Sequence, residues 1–305
     1  MRALFETADG ALRAPWRIVL FFGVTFVAGG LIGGLVYPLV ALTPLVQWAR
    51  EYRVPLDQLG ALLALGAASW FCLRLDGRGV PAWTRVGLAR ADWNVRSASY
   101  GFAVGALAIL VPCALLLATG RFSFENVATP ESWWVATRSA LFILTPAALV
   151  EELAMRGYPF TALRESLGAG WAVALTSIVF ALLHLFNPAP TMMSTATVAL
   201  AGVLLAAVRL ATGSLVAAWT AHLAWNLMQA AALHAPVSGL PLGTPGYRLL
   251  DHGPVWLTGG AWGPEGGLAA AAGMLVATFL LLRRGNRVAA RATGEDLLSA
   301  TTVEN

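Results

Sequence analysis

Long runs of apolar residues, separated by short polar or Gly- and Pro-containing stretches, dominate the hydropathy pattern of this 305-residue chain. A helix needs about 20 mostly apolar residues to cross the hydrocarbon core of a bilayer. The runs predict eight spans, at about 18–46, 57–73, 97–119, 132–154, 170–187, 193–211, 214–234 and 267–283. We therefore expect an all-α, polytopic membrane helix bundle with about eight transmembrane helices.

The composition agrees with this fold class. Hydrophobic residues make up 58% of the chain and charged residues 12%, with a mean hydropathy of +0.69, whereas soluble domains average about 25% charged residues. The basic residues are all arginines and lie mainly between the spans, which argues against nucleic-acid binding. Cys72 and Cys113 each lie in a predicted span, with the spacing of neither a disulfide framework nor a metal site.

The distribution of arginine predicts the orientation of the bundle. With a cytoplasmic N-terminus, the inner segments carry fourteen arginines and the outer segments four, and Arg138 and Arg156 lie inside helices. Both termini are therefore predicted to be cytoplasmic. Because a chain without lysine is typical of bacterial sequences, we expect a multi-pass protein of the bacterial plasma membrane.

Three of the predicted spans contain ionisable side chains. Glu151, Glu152 and Arg156 lie in the fourth span or just beyond it, His184 lies in the fifth and His222 in the seventh. Ionisable residues in a span are costly, so they usually face the interior of the bundle or a wet cavity. This pattern indicates a functional site inside the bilayer.

The spacing of these residues assigns them to helix faces. Glu152 and Arg156 are four residues apart, so they can form an ion pair within one helix. The adjacent Glu151 then points elsewhere and is available as a general base. Alone, such a pair is equally well explained as a structural contact within a bundle.

Two further pairs have the same four-residue spacing, Phe180 with His184 and His222 with Asn226. If their faces converge on Glu151, His184 can hold or polarise a water molecule. His222 and Asn226 can then donate to an oxyanion, which completes the groups needed to hydrolyse an amide. A single histidine on an apolar helix is more often a core residue, and His-x-x-x-Asn occurs by chance, so the prediction depends on the combination.

The three motifs, in this order, resemble those of the CAAX protease and bacteriocin-processing family of intramembrane proteases (CPBP or Abi family), which includes the eukaryotic Ras-converting enzyme. The motifs are Glu151-Glu152-x-x-x-Arg156, Phe180-x-x-x-His184 and His222-x-x-x-Asn226. The resemblance covers about residues 131–236. It implies an eight-helix bundle whose cavity holds a site like that of type II CAAX prenyl endopeptidases.

The resemblance also implies a role for each motif residue. Glu151 and His184 would activate water, and His222 with Asn226 would stabilise the oxyanion. The supporting residues would be Glu152, Arg156 and Phe180.

A metal ion is an open alternative in this family. One carboxylate and two imidazoles, from Glu151, His184 and His222, match the ligand count of a catalytic zinc site. We favour the metal-free mechanism and no cofactor, because Asn226 is a poor zinc ligand and a good oxyanion donor.

The expected function is an endopeptidase that works in the lipid bilayer on a membrane-associated or lipid-modified peptide or protein. The alternative is a catalytically silent scaffold of the same fold, with a role in bacteriocin immunity or envelope regulation. A transporter or channel is a third reading, weakened because the sequence contains no inverted pair of broken helices.

The outer loop at about 235–266 is rich in Gly and Pro, which specify turns rather than helix. We favour a plain interfacial loop over the alternative, a cap over the site. Trp256 and Trp262 are expected at the membrane interface, and His234 and His252 are expected to be surface groups. We divide the chain into a leader with three helices (1–130), a protease-like core of four helices (131–236), and the outer loop, last helix and cytoplasmic tail (237–305).

The predicted spans leave one geometrical difficulty. Glu151 lies near the inner end of the fourth span, whereas His184 lies about 14 residues, or about 20 Å, into the fifth. A longer, tilted fourth helix that reaches about Ser166 would bring the two together. This solution predicts that Arg156 lies in the bundle rather than in a loop.

Overall fold

A computed structural model describes residue 5 and residues 12–77, 82–127, 132–242 and 246–284. Within these ranges the chain forms a bundle of α-helices with one small antiparallel sheet. The helices are α1 (Ala14–Ala41), α2 (Val46–Glu51), α3 (Arg53–Leu75), α4 (Ala82–Arg85), α5 (Val95–Ala118), α6 (Trp133–Arg156), α7 (Tyr158–Leu167), α8 (Ala169–Leu183), α9 (Met192–Thr212), α10 (Leu215–Leu227), α11 (Val255–Thr258) and α12 (268–284). The strands are β1 (Phe122–Asn126) and β2 (Tyr247–Asp251), which pair from Phe122 opposite Asp251 to Asn126 opposite Tyr247.

Six helical segments of the described chain are long and apolar enough to cross a membrane. They are α1, α3, α5, α6 together with α7, α8 with the turn that follows it, and α9. The predicted fold class, an all-α polytopic bundle, is confirmed. The count of eight is not, because α10 passes into a π-helix (Met228–Leu233) and α12 is described only to residue 284. Both termini and the predicted boundary at residues 130 and 131 lie outside the described residues.

Helices α5 and α10 pack against each other through two glycines of α5. A Cβ atom on Gly101 would overlap the carbonyl oxygen of Ala217, and one on Gly105 would overlap that of Ala221. Small residues four positions apart let two helix backbones approach closely within a membrane. This contact holds α10, and with it His222, in a hydrophobic cluster shared by α5, α9, α10 and α12.

The fourth predicted span consists of two helices that meet at a glycine. α6 ends at Arg156 and α7 begins at Tyr158. A Cβ atom on Gly157, between them, would overlap the carbonyl oxygen of Leu153. The predicted extension of the fourth helix is therefore correct in length and wrong in continuity. Arg156 lies in the bundle, as expected, with 0% of its surface exposed.

This extension explains how Glu151 and His184 reach the same depth. Glu151 lies sixteen residues before Leu167, the end of α7, which corresponds to about 24 Å of helix. His184 lies fifteen residues after Ala169, the start of α8, which corresponds to about 22 Å. Since α7 packs against α8, the two nearly equal distances from their connection place both side chains at one level.

A buried ion network ties α1 and α3 to α7. Arg17, with 1% of its surface exposed, donates to Asp76 and Glu165, and Arg85 donates to the same two carboxylates at 2.9 Å. The Tyr158 hydroxyl bonds Asp76 at 3.2 Å. Each buried charge therefore has an opposite charge beside it. Such pairing is needed because an unpaired charge in the low-dielectric interior is strongly destabilising. The network fixes the N-terminal helices against both ends of α7, at Tyr158 and Glu165.

Residues 235–267, of which 243–245 lie outside the described residues, form what we call the outer cap. His252 is exposed, as expected. The predictions that His234 lies at the surface and that Trp262 lies at the membrane interface are wrong, because these residues are only 4% and 2% exposed. The reason is that the cap folds inwards: the His234 ring packs against Tyr247 at 4.2 Å, and Trp262 accepts a backbone hydrogen bond from Gly239. Burial raises the pKa of the Tyr247 hydroxyl, which donates to the carbonyl oxygen of residue 232.

Candidate active site

The carboxylate of Glu151, on α6, lies beside two imidazoles from other helices. Its Oε2 atom is 4.0 Å from Nε2 of His184 and 3.7 Å from Nε2 of His222. This oxygen is buried and accepts no hydrogen bond from the described residues. Because two atoms 4.0 Å apart can both contact one water molecule at about 2.8 Å, a water molecule beside the pair can bridge Glu151 and His184.

His184 lies in the 3-10 turn that follows α8, and its ring is oriented by the backbone of that helix. Its Nδ1 atom is 2.8 Å from the carbonyl oxygen of Phe180. A carbonyl oxygen only accepts, so Nδ1 carries the proton of this hydrogen bond. In the neutral ring, Nε2 then has a free lone pair directed towards Glu151. The predicted four-residue spacing therefore brings the His184 ring into hydrogen-bond contact with the main chain of Phe180.

Glu152 forms the predicted ion pair with Arg156 and also holds the ring of His222. Its Oε1 atom accepts from Arg156 Nη1 at 3.1 Å and from His222 Nδ1 at 3.0 Å. The other arm of the guanidinium, Nη2, donates to the carbonyl oxygen of Gly202 on α9 at 2.9 Å. Glu152 and Arg156 are 0% exposed. The pair thus fixes the His222 ring so that Nε2 faces Glu151.

The ring of Phe180 fills the space between these groups. The Arg156 guanidinium lies over it at 4.6 Å from the ring centre, a distance at which a cation is attracted to an aromatic face. The centres of the His184 and His222 rings lie 4.5 and 5.9 Å from the same ring. Phe180 therefore keeps the two imidazoles and the guanidinium in fixed relative positions.

Asn226 follows His222 by one turn on α10, and both residues line a small cavity with His184. The volume of this cavity is about 30 Å³, which is room for about one water molecule. Two residues of the outer cap, Ser238 and Glu265, line it too. The geometry thus agrees with the cap alternative rather than with a plain interfacial loop. Neither cap residue is predicted from the sequence, although the acidic Glu265 at the end of an apolar stretch rich in Gly and Pro is a usable signal.

The helices that carry this arrangement, α6 to α10, are similar to a known protein family. Residues 132–228 match the family model described as Rce1-like, type II CAAX prenyl endopeptidase Rce1-like. The resemblance inferred from the motifs is thereby confirmed for this region, about a third of the chain. No curated protein and no solved structure gives a significant match.

The Rce1-like region begins just before α6 and ends just after α10, so it contains Glu151, His184, His222 and Asn226. Its family is one of proteases that act at membranes. Together with the six apolar helices, the match identifies an integral membrane protein. The outer cap lies beyond the matched residues.

The zinc alternative for the Rce1-like region requires Glu151, His184 and His222 to converge on one ion. The Nδ1 atoms of the two histidines already form hydrogen bonds, His184 with a backbone carbonyl and His222 with a carboxylate. Zinc-bound histidines usually make such a bond with the ring nitrogen that does not bind the metal. However, no group of three or more His, Cys, Asp or Glu residues in the described ranges is arranged to hold a metal ion. We derive no catalytic step through a metal, and the zinc alternative stays a prediction to be tested by chelation.

Proposed function

We propose that this chain is an intramembrane endopeptidase, which hydrolyses a peptide bond in a membrane-associated or lipid-modified protein by means of a water molecule activated between Glu151 and His184. The observation that carries the proposal is the approach of Glu151 Oε2 to the Nε2 atoms of His184 and His222 within a bundle of membrane-spanning helices. The match to the Rce1-like family supports the reaction class.

In the first step, the water molecule binds to Glu151 Oε2 and donates a hydrogen bond to the free lone pair of His184 Nε2. Glu151 takes the other proton of this water as its oxygen adds to the carbonyl carbon of the substrate. The electron pair of the C=O π bond moves to the carbonyl oxygen, which becomes the oxyanion of a tetrahedral intermediate. A positioned general base of this kind accelerates a reaction about 10²- to 10⁴-fold.

The oxyanion is stabilised by His222 and Asn226 from α10. Since Nδ1–H of His222 is committed to Glu152, only the doubly protonated ring has an N–H at Nε2 for the oxyanion. That proton also balances the site, where the carboxylates of Glu151 and Glu152 otherwise face the single cation of Arg156. Preorganised donors at a developing negative charge are often the largest contribution to catalysis.

In the last step, the tetrahedral intermediate collapses. Its C–N bond breaks, the carbonyl bond re-forms, and Glu151 returns the proton to the leaving amine. The products are a carboxylic acid at the new C-terminus and a free amine, and the acid then passes its proton to the amine to give a carboxylate and an ammonium group. Glu151 therefore acts first as base and then as acid, and no other proton donor is needed.

The location of the site within membrane-spanning helices supports a substrate that is itself held at the membrane. The helices that carry it expose long apolar side chains such as Leu182 and Leu183, which suit contact with lipid. A segment held at the bilayer by its own apolar or lipid-modified part would approach along this surface. From the absence of lysine we place the protein in a bacterial plasma membrane, and from the distribution of arginine we place both termini in the cytoplasm.

The test is cleavage of prenylated and unmodified C-terminal peptides by the protein purified in detergent. Glu151→Gln and His184→Ala are expected to lower the rate at least about 100-fold. The matched controls, Glu125→Gln and His252→Ala, change the same residue types on the exposed sheet side and should keep the wild-type rate.

Each variant is assayed with and without a metal chelator. We expect the chelator to leave the wild-type rate unchanged. Cleavage by Glu151→Gln at the wild-type rate would overturn the assignment of the base. Absence of cleavage of every peptide by the wild-type protein would favour the scaffold alternative. Loss of activity with the chelator, restored by zinc, would overturn the metal-free mechanism.

A further inference from the structure

The outer cap contains a buried carboxylate, Glu265, that is surrounded by hydrogen-bond donors. Its Oε2 atom accepts from Trp225 Nε1 at 2.6 Å and from Gln229 Nε2 at 2.9 Å. Its Oε1 atom accepts from Ser238 N at 2.6 Å and from Ser238 Oγ at 2.7 Å. The residue is only 6% exposed. Four donors saturate a carboxylate, so Glu265 is not available to bind a substrate and its role is to hold its partners.

One of those partners, Ser238, has a strained backbone. Its φ angle is +50°, in the left-handed region that residues with a side chain adopt at a cost in free energy. Glu265 binds both its N–H and its hydroxyl, which stabilises this conformation. Ala189 and His234 are the other described non-glycine residues with positive φ, and both lie beside the cap. Strain of this kind is concentrated at functional sites.

Ser238 also contacts the turn that carries His184. Its carbonyl oxygen accepts from Asn187 Nδ2 at 3.1 Å, and the backbone N–H of Asn187 donates to the His184 carbonyl oxygen. The next residue, Gly239, lies so close to this turn that a Cβ atom would overlap the carbonyl oxygen of Pro188. The position of Ser238 is therefore transmitted directly to the segment that begins at His184.

The other two partners of Glu265 belong to α10 and to the π-helix that follows it, and one of them, Trp225, lines the cavity. Trp225 is adjacent to Asn226 on α10, and Gln229 follows one turn later in the π-helix. Gln229 also accepts from the backbone N–H of Glu265 at 3.3 Å. One carboxylate thus joins the helix that carries His222 to the turn that carries His184, by contacts that line the same cavity.

We propose that Glu265 is a positioning residue of the active site, which sets the separation of His184 from His222 and Asn226 through its hydrogen bonds to Ser238 and Trp225. The inference rests on the proposed function for its catalytic consequence. Its structural part, the coupling of the His184 turn to α10 through the cap, can be measured without any cleavage.

The first experiment measures amide hydrogen exchange in Glu265→Gln. A glutamine offers one acceptor oxygen, and its amide group would face donors, so at least half of the hydrogen bonds are lost. We expect faster exchange in the cap at 238–240 and, decisively, in the turn at 184–187. The control Glu125→Gln makes the same chemical change in an exposed pair with Arg248 and should leave both segments unchanged. Unchanged exchange at 184–187 in Glu265→Gln would overturn the proposal.

The second experiment measures peptide cleavage by the same variants. We expect kcat of Glu265→Gln to fall about tenfold, with KM changed less than about twofold, because alignment is lost and not substrate binding. Ser238→Ala, which removes one of the four hydrogen bonds, should have a smaller effect. If both act through one coupling, the double variant should be no slower than Glu265→Gln alone. Additive effects, or an unchanged kcat, would overturn the positioning role.

The two experiments separate this inference from the proposed function. If the wild-type protein cleaves no peptide, the protease assignment fails, and amide exchange alone decides the coupling. If Glu151→Gln abolishes cleavage while Glu265→Gln does not change kcat, the protease assignment stands and the positioning role fails. If Glu265→Gln does not fold, Ser238→Ala tests the coupling by both measurements.

Discussion

Replacing Gly105 by alanine should disable the active site without removing any of its chemical groups. Gly105 on α5 faces the backbone of α10, where a Cβ atom would lie about 1 Å inside the 3.0 Å limit that real Cβ atoms respect, against the carbonyl oxygen of Ala221. The obstructing atom belongs to the main chain and cannot rotate away. α10 must therefore shift by about 1 Å, and Ala221 directly precedes His222.

The effect on stability and the effect on activity should differ in size. Overpacking costs about 1–3 kcal/mol, and alanine gains up to about 1 kcal/mol over glycine inside a helix, so the net loss is about 0–2 kcal/mol. A misplacement of about 1 Å, by contrast, can lower a catalytic rate about 100-fold. We expect the cleavage rate of Gly105→Ala to fall about 100-fold, while its melting temperature falls by only a few degrees.

The assay compares cleavage rate and thermal unfolding of Gly105→Ala, Gly66→Ala and the wild type in one detergent. Gly66 lies in α3, and a Cβ atom on it would meet nothing within 4 Å. Gly66→Ala should keep the wild-type rate and be slightly more stable. A wild-type rate in Gly105→Ala would refute the reasoning, and so would an equal loss of rate in both variants.

Three other substitutions test the contacts around the site. Glu152→Gln removes the carboxylate that is hydrogen-bonded to the fully buried Arg156 and to His222, and should lower the free energy of unfolding by about 3–5 kcal/mol. A loss below about 1 kcal/mol in denaturant titration would contradict this. Gly239→Ala adds a side chain at a φ of +78°, against the Pro188 carbonyl, and should speed amide exchange in the outer cap. Arg17→Met removes the cation that joins α1 to α3 and α7 in the buried ion network, and should lower the melting temperature. An unchanged melting temperature would argue that this network does not stabilise the fold.

Local spacing was enough to predict the contacts made within one helix. Glu152 and Arg156 pair as the four-residue interval predicts, and the Phe180–His184 interval places the His184 ring against a carbonyl oxygen of its own helix. Such contacts follow from the helical repeat of 3.6 residues, which the sequence displays directly. The break in the helix at Gly157 could not be predicted from this repeat. It arises from the local path of the backbone, which the hydrophobic pattern does not reveal.

Contacts between distant segments were predicted less well. The hydrogen bond from His222 to Glu152 spans 70 residues and the one from Ser238 to Glu265 spans 27. His234 is expected at the surface because it lies beside the outer loop, yet the inward fold of that loop buries it. Burial depends on which segments pack together, and hydropathy along the chain carries no record of it.

The sequence by itself determined the class of the fold and singled out the candidate reactive groups. Apolar runs of membrane-spanning length leave a helix bundle as the accessible architecture for those segments, since each backbone polar group must be satisfied within its own helix. Ionisable residues in such runs mark a site because their burial is costly without partners. The tertiary structure decided which groups meet. It set Glu151 beside two imidazoles, joined α5 to α10 through glycines, and placed Glu265 in the wall of the cavity, because these distances depend on the packing of whole helices and on the path of the cap.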